Sequence, residues 1–279
     1  MIISQKSRTN FEVSLEAREH NVLFISDVHY DSMKCDRPRL VRHLNEAKAI
    51  GADVFVFGDW FDLMQGKYDP RGTYSDLRPE YKSITYLDDV IDDSYEFLKK
   101  HPHVRFLGRG NHETNIEKRL HTSPLDRLAS LLRHDKHDIN VGGYAGYLKF
   151  RLTKPNGHAR RTSLVHYHHG YGGNAKRSKG VLEVDLDSAQ FPDASVIVRG
   201  HTHQKWYVPT SVDRVNDQLQ SYQESVHHLR LGSYKLFGDR FAGWATEKGF
   251  NTPRLGGWFG RFHMVGKHEL PRWEWREAQ

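Results

Sequence analysis

Five short apolar segments of this chain end in the same way, at a glycine or serine beside aspartate, asparagine or histidine. The five junctions are Ser26-Asp27-Val28-His29, Gly58-Asp59-Trp60-Phe61-Asp62, Gly110-Asn111-His112-Glu113, His168-His169-Gly170 and Gly200-His201-Thr202-His203. Ligand sites in α/β proteins form where strands end along one edge of a sheet. Five strands that end at one edge would surround a single point with oxygen and nitrogen donors.

Apolar runs alternate with helical periodicity through residue 135, which predicts βαβ units and a parallel sheet. The predicted strands are Asn21–Ser26, Asp53–Phe57, Val104–Leu107 and Ser195–Arg199, with a hairpin of Leu148–Thr153 and Thr162–Tyr167 around Pro155-Asn156-Gly157. The predicted helices are Asp36–Ile50, Ser83–Lys100, Leu125–Leu132 and Ser178–Asp187. A loop is expected over residues 66–82, and another at the glycine-flanked junction after Leu107.

Neither a repeat nor a linker divides the chain, so we expect a single domain over residues 1–279, with its core motifs within residues 21–203. The segment 204–279 is expected to be rich in strands. Its aromatic residues are Trp258, Phe259, Phe262, Trp273 and Trp275. Because free tails rarely carry so much aromatic surface, we expect this segment to complete or cap the fold, as a docked strand or a lid edge.

The composition excludes several classes of protein. Hydrophobic residues make up 37% of the chain and aromatic residues 12%, which is too much for a disordered protein. Cys35 is the only cysteine, which excludes a disulfide framework and a cysteine-based zinc site. No stretch approaches the roughly 18 to 20 apolar residues of a membrane helix, and Met1–Asn10 lacks a signal-peptide core. We therefore expect a cytoplasmic protein without a membrane partner.

The charge balance of 41 Lys+Arg against 35 Asp+Glu, a net +6, suits an anionic partner such as a phosphate ester, DNA or RNA. Lys176 and Arg177, in the glycine-rich segment after Gly170, are candidates to bind a polyanion, although an ordinary glycine loop would look the same. Arg109 either contacts a substrate phosphate or pairs with a nearby acid. Trp60 and Tyr171 are candidates for base stacking, with packing in the core or at its rim as the alternative.

The donor types at the five junctions are typical of a metal site. Carboxylate, carboxamide and imidazole groups without thiolate suit Mn²⁺, with Ni²⁺, Zn²⁺, Fe or Mg²⁺ as alternatives. A carboxylate can bridge two divalent ions about 3.5–4 Å apart, and such pairs hydrolyse phosphate esters. The pattern therefore predicts a phosphoesterase with two divalent ions.

In chain order the junctions read D-x-H, G-D-x-x-D, G-N-H-E, H-G and G-H-x-H. This set resembles the calcineurin-like metallophosphoesterase superfamily over residues 27–203. The resemblance implies an α/β fold, specifically a four-layer α/β/β/α sandwich of two mixed sheets with flanking helices. It also implies a dinuclear metal centre at the sandwich edge.

The resemblance also implies a role for each junction residue. One ion would be held by Asp27, His29 and His203, the other by Asn111, His169 and His201, and Asp59 would bridge the two. His112 would protonate the leaving alkoxide, and Asp62 would accept a hydrogen bond from His112 and orient it. A metal-bridging hydroxide would attack phosphorus in line, without a covalent enzyme intermediate.

One ligand is ambiguous, because His168 and His169 both precede Gly170 where the family pattern has a single histidine. His169 is the predicted ligand because it directly precedes the glycine. His168 is the alternative, since a shift of one residue turns a strand side chain to the opposite face.

The predicted activity is hydrolysis of phosphodiester bonds in nucleic acid or nucleotides. The alternative within the same chemistry is a phosphomonoesterase, including a protein or small-molecule phosphatase. A third interpretation, a binding module that has lost catalysis, is disfavoured because the bridging Asp59, the acid His112 and the other donors are all present.

Overall fold

The computed structural model describes residues 1–63, 77–154, 160–172, 178–215, 217–236, 254–266 and 270–279. Two mixed β-sheets pack face to face in these residues, with helices on their outer faces. This architecture confirms the predicted four-layer sandwich. The predicted hairpin turn Pro155-Asn156-Gly157, most of the predicted loop 66–82, and Lys176 and Arg177 lie outside the described residues.

The first sheet has seven strands. In spatial order they are β1 (Ile2–Gln5), β2 (Phe11–Glu16), β7 (Ala145–Thr153), β8 (Arg160–His168), β9 (Val196–Arg199), β11 (Ser221–Arg230) and β10 (Trp206–Val215). β8, β9 and β11 run parallel to one another, whereas β7–β8 and β10–β11 are antiparallel hairpins. The predicted strand Ser195–Arg199 is therefore an inner strand of this sheet.

The second sheet has six strands. In spatial order they are β13 (Leu270–Glu277), β12 (Trp258–Val265), β3 (Glu19–Ile25), β4 (Asp53–Phe57), β5 (Val104–Gly108) and β6 (Asn140–Val141). β3 to β6 are parallel, and β12 is antiparallel to both of its neighbours. The C-terminal aromatic segment is therefore a docked strand pair rather than a lid edge.

Five α-helices lie in the described residues. They are α1 (Arg37–Ala49), α2 (Tyr86–Leu98), α3 (Asn111–Leu120), α4 (Pro124–His134) and α5 (Val184–Gln190). The Asp36 carboxylate caps α1 by accepting from Arg39 N at 3.0 Å, and the Ser123 hydroxyl caps α4. None of these helices combines the length and the apolar composition needed to cross a bilayer.

Two of the sequence predictions were wrong in detail. The junction after β5 is not a loop, since α3 begins at Asn111 and carries His112 in its first turn. The helix predicted at Ser178–Asp187 starts later, as a 3-10 turn at Val181–Glu183 followed by α5. Gly180 has a φ of +79°, a left-handed conformation that cannot belong to an α-helix.

Two large apolar cores, together with a small cluster of Ala194, Ile197 and Val226, hold the layers together in the described residues. The inner faces of the two sheets meet in an aromatic core, in which Phe24 packs edge-on against Phe57 with ring centroids 5.1 Å apart. The second core lies between the six-stranded sheet and the helices α1, α2 and α4. Both cores include residues at the carboxyl ends of strands, such as Ile25 and Phe57. This packing fixes the points from which the junctions begin.

Candidate metal centre

The five junctions meet at one edge of the sandwich. Asp27 N donates to Gly58 O at 3.1 Å, and Gly200 N donates to His169 O at 2.8 Å. The two sheets are joined here by His201 N, which donates to Asp27 Oδ2 at 2.9 Å. The parallel strands β3, β4 and β5 of one sheet and β8 and β9 of the other thus deliver their carboxyl ends to one place.

The first predicted donor set is assembled. The Nε2 atoms of His29 and His203 lie 3.4 Å apart. Asp27 Oδ1 is 3.3 Å from His203 Nε2 and 4.0 Å from His29 Nε2. These three side chains are close enough to share one ion.

The second predicted donor set adjoins the first. Asn111 Oδ1 lies 3.1 Å from His169 Nε2 and 2.8 Å from His201 Nδ1. Asp59 Oδ2 lies 3.1 Å from His169 Nε2, and Asp27 Oδ1 lies 4.0 Å from the same nitrogen. All seven predicted ligands are therefore brought together, and Asp59 lies against His169 of the second set.

Three of the imidazoles are oriented by an acceptor behind the ring. His29 Nδ1 lies 2.8 Å from Asp62 Oδ1, and His169 Nδ1 lies 3.0 Å from Phe57 O. His201 is turned the other way, with Nε2 3.1 Å from Gly172 O. A proton held at each of these nitrogens leaves the opposite nitrogen facing the cluster, as in protein metal sites.

The electrostatics also fit divalent cations. Burial opposes a charged ring at His169, yet the carboxylates of Asp59 and Asp27 raise the pKa of His169 to about 10. At His29 burial dominates and lowers the pKa to about 4, so this ring is a neutral donor at neutral pH. The carboxylates of the cluster therefore stabilise positive charge at its centre, which bound metal ions would supply. The nitrogen and oxygen donors present fit a pair of such ions.

The backbone is strained at five of the seven predicted ligands. A left-handed conformation, with φ between +50° and +69°, occurs at Asp27, His29, Asp59, His201 and His203. This conformation costs non-glycine residues roughly 1–2 kcal/mol each. Strain of this kind concentrates at functional sites, where the surrounding structure imposes it.

Two glycines make room for the ligands. At Gly58, with φ +97°, a Cβ atom would overlap the ring of His169. At Gly110 it would overlap the carboxylate and backbone of Asp59. Close approach therefore requires glycine at both positions, and the positive φ of Gly58 favours glycine there as well.

His112 lies beside the donor sets, with its orientation held by a group other than the one predicted. Its Nδ1 donates to the main-chain oxygen of Asp62, and the Asp62 carboxylate is 3.8 Å away, beyond hydrogen-bonding distance. That carboxylate is directed instead at His29 Nδ1 and at Lys235 Nζ. His112 Nε2 faces the centre, 3.7 Å from Asp59 Oδ2.

Two further carboxyl groups support the junctions. Glu113 accepts hydrogen bonds from the backbone N–H groups of Asp59, Phe61 and Gly110. Burial followed by the charge of Asp59 raises the pKa of Glu113 to about 7. The supporting role of Asp31 was not predicted from the sequence, although Asp31 follows His29 by two residues, as His29 follows Asp27. It accepts from Asp62 N at 2.5 Å, from Leu63 N at 3.0 Å and from Tyr86 Oη at 2.6 Å.

The two adjacent histidines differ in their surroundings. His169 is fully buried in the cluster, whereas His168 Nδ1 accepts a hydrogen bond from Gly170 N at 2.8 Å. The ring of His168 packs against Tyr144 and Tyr171. His169, in contrast, is grouped with Asp59 and His201 among the donors close enough to share an ion. The geometry favours His169 as the ligand.

Exchanging each histidine separately for alanine tests this assignment. We expect His169→Ala to lower metal affinity and activity by at least 10- to 100-fold, because it removes a donor nitrogen, and His168→Ala to retain bound metal. Elemental analysis after gel filtration measures the metal that each variant retains, and an assay with metal added back measures its activity. Equal and mild losses would remove both histidines from the ligand set.

The residues predicted to contact substrate lie in different surroundings. Arg109 donates to Glu117 at 2.8 Å and to Gly142 O at 2.8 Å, and it also pairs with Asp126. These contacts favour the acid-pairing alternative over a substrate contact. Trp60 is fully buried and packs on Tyr30, which excludes base stacking.

Tyr171, by contrast, is 58% exposed beside the site. Its ring lies 5.5 Å from the Arg199 guanidinium.

A sandwich that gathers imidazole, carboxylate and carboxamide donors at one edge, with His112 beside them, is an arrangement typical of metal-dependent hydrolases. The chain belongs to the calcineurin-like phosphoesterase family, whose model matches residues 20–205. No curated protein matches the sequence.

Several solved structures are similar to the chain. Vps29 from Chaetomium thermophilum is 9% identical, with a TM-score of 0.39, and the match covers 94% of this chain and 96% of that one. GAP50, the anchor in the inner membrane complex of Plasmodium, is 11% identical, with a TM-score of 0.42 and coverages of 94% and 86%. A predicted phosphoesterase from Streptococcus pneumoniae is 14% identical, with a TM-score of 0.31 and coverages of 92% and 98%.

Proposed function

We propose that the protein is a metal-dependent phosphodiesterase that hydrolyses nucleic acid or nucleotides. The observation that carries this proposal is His112, whose Nε2 lies 3.7 Å from the Asp59 carboxylate, beside the clustered metal donors. A metal-binding module without catalysis would have no use for an oriented imidazole at this point. The intact combination of donors and proton carrier supports hydrolysis.

The residues divide the proposed reaction between them. Asp27, His29 and His203 would hold one divalent ion, and Asn111, His169 and His201 the other, with Asp59 between. Bound ions of this kind polarise phosphoryl oxygens and lower the pKa of coordinated water. His112 would give its Nε2 proton to the departing oxygen while Asp62 O keeps Nδ1 in place.

The protonation state of His112 suits this role. Burial lowers the pKa of the ring, but the carboxylates of Asp59 and Asp62 outweigh burial and raise it above its usual range. This direction favours the protonated form of the ring, which is the form that a general acid needs.

Three observations support a polymeric or nucleotide diester as the substrate. His201 and His203 are partly exposed, so the donor sets open to the surface at the edge of the sandwich. The exposed ring of Tyr171 lies beside this opening and offers a face for a base. The net charge of +6 favours an anionic substrate. We further propose Mn²⁺ as the metal and the cytoplasm as the location, where the buried thiol of Cys35 would stay reduced.

Hydrolysis of bis-p-nitrophenyl phosphate and of p-nitrophenyl phosphate tests this proposal. Chelator-treated protein is assayed with Mn²⁺, Ni²⁺, Zn²⁺ and Mg²⁺ added back singly, and an Asp59→Asn preparation controls for contaminating enzymes. We expect metal-restored cleavage of the diester, strongest with Mn²⁺, followed by cleavage of DNA or RNA. Cleavage of the monoester alone would establish the phosphomonoesterase instead. Cleavage of neither, with both ions bound, would contradict the proposal.

A further inference from the structure

The segment Leu231–Leu236 lies beyond the family match, which ends at residue 205, yet it contacts the first junction. Tyr234 N and Ser233 Oγ both donate to Asp27 O at 2.9 Å. Leu236 N donates to Lys34 O at 2.8 Å, on the other side of Lys235. The backbone around Lys235 is thus tied to the loop that carries Asp27 and His29.

The side chain of Lys235 points into the site. Its Nζ donates to Asp62 Oδ1 at 2.6 Å, and the same oxygen lies 2.8 Å from His29 Nδ1. The side chains of Lys235 and Asp62 are 15% and 3% exposed. Among the ion pairs of the described residues, Lys235 is the only lysine or arginine that pairs with Asp27, Asp59 or Asp62.

This contact accounts for the orientation of the Asp62 carboxylate. The ionised Asp62 carboxylate lies between His29 and His112, and it could accept a hydrogen bond from Nδ1 of either ring. Lys235 holds Oδ1 on the side of His29, and His112 Nδ1 is left to the main-chain oxygen of Asp62. Each ring then has its own acceptor, and each turns its Nε2 toward the centre.

We propose that Lys235 is a positioning residue for the phosphoesterase reaction, acting through Asp62 on the orientation of His29. This inference rests on the proposed function, because it assigns His29 to a metal ion. It adds to the site a residue from outside the five junctions. Substitution of such outer partners typically costs 10–100-fold in metal affinity or activity.

The test compares Lys235→Met, which keeps the length of the stem, with Lys235→Arg, which keeps the charge. Lys99→Met is the matched control, since Lys99 forms an ion pair with Asp135 at 3.2 Å on the surface. We expect Lys235→Met to weaken Mn²⁺ binding by roughly tenfold in titration calorimetry and to lower kcat by roughly 10–100-fold with little change in KM. Lys235→Arg should recover part of both losses, and Lys99→Met should match wild type.

The sign of the change in metal affinity separates positioning from simple charge repulsion. Removal of a cation near a metal site strengthens metal binding by electrostatics alone. Tighter Mn²⁺ binding by Lys235→Met, or unchanged binding and kcat, would therefore overturn the proposal. The calorimetric readout does not depend on turnover, so it holds even if neither ester proves to be a substrate.

A double-mutant cycle with Asp62→Asn separates action through Asp62 from a general effect on the fold. We expect Lys235→Met to cost little further metal affinity in the Asp62→Asn background, since the shared partner is already removed. Fully additive losses would contradict the proposed route. Thermal unfolding of each variant verifies folding, and Lys235→Arg carries the cycle if Lys235→Met does not fold.

Discussion

Replacing His112 by alanine is expected to lower kcat by roughly 10²–10⁴-fold while bound metal is retained. The ring lies beside the donor sets. Its Nδ1 donates to Asp62 O, and its Nε2 points toward the centre. Its loss removes the proton donor without removing a predicted ligand. His134→Ala is the matched control, because the side chain of His134 is 91% exposed.

The leaving group distinguishes proton donation from a general disturbance of the site. A p-nitrophenolate departs without a proton, whereas an alkoxide such as a nucleoside oxygen needs one. We therefore expect a smaller loss for His112→Ala on bis-p-nitrophenyl phosphate than on a dinucleotide. Equal losses on both substrates, or loss of bound metal, would show that His112 has another role.

Replacing Asp59 by asparagine is expected to lower kcat by roughly 10³-fold or more and to release at least one metal ion per chain. The charges of His169, His112 and His29 outweigh burial and hold the pKa of Asp59 well below its usual range. It is therefore ionised at neutral pH and supplies negative charge to both donor sets. Its Oδ2 lies 3.1 Å from His169 Nε2, and its Oδ1 accepts from His112 N at 3.1 Å.

Asparagine is the cleaner substitution at this position, because Asp59 has a φ of +50°. Asparagine tolerates the left-handed conformation and can still accept the hydrogen bond from His112 N, whereas alanine would add backbone strain. Asp88→Asn is a suitable control, since the Asp88 side chain is 57% exposed. A variant that keeps both ions and wild-type turnover would exclude Asp59 as the bridging ligand.

The junctions were predictable from sequence because each is a local pattern. A buried strand such as Asp53–Phe57 followed by Gly58 and Asp59 defines its own end, and parallel strands place their ends at one edge. The same logic did not reveal that α3 begins at Asn111. The signal there is Glu113, whose carboxylate accepts from Gly110 N and caps the helix.

The groups behind the ligands were not predictable in the same way. Lys235 is 173 residues from its partner Asp62, and no local pattern announces a contact of that range. The choice between the main-chain oxygen and the carboxylate of Asp62 as the acceptor for His112 depends on that contact as well. Local patterns therefore locate the junction residues, and only the tertiary structure shows how their side chains are oriented.

Anomalous diffraction from crystals of the Mn²⁺-loaded protein would show directly whether the site holds two ions. We expect two manganese peaks about 3.5–4 Å apart. One should lie among Asp27, His29 and His203, the other among Asn111, His169 and His201, with Asp59 touching both. A single peak, or peaks bound by other residues, would contradict it.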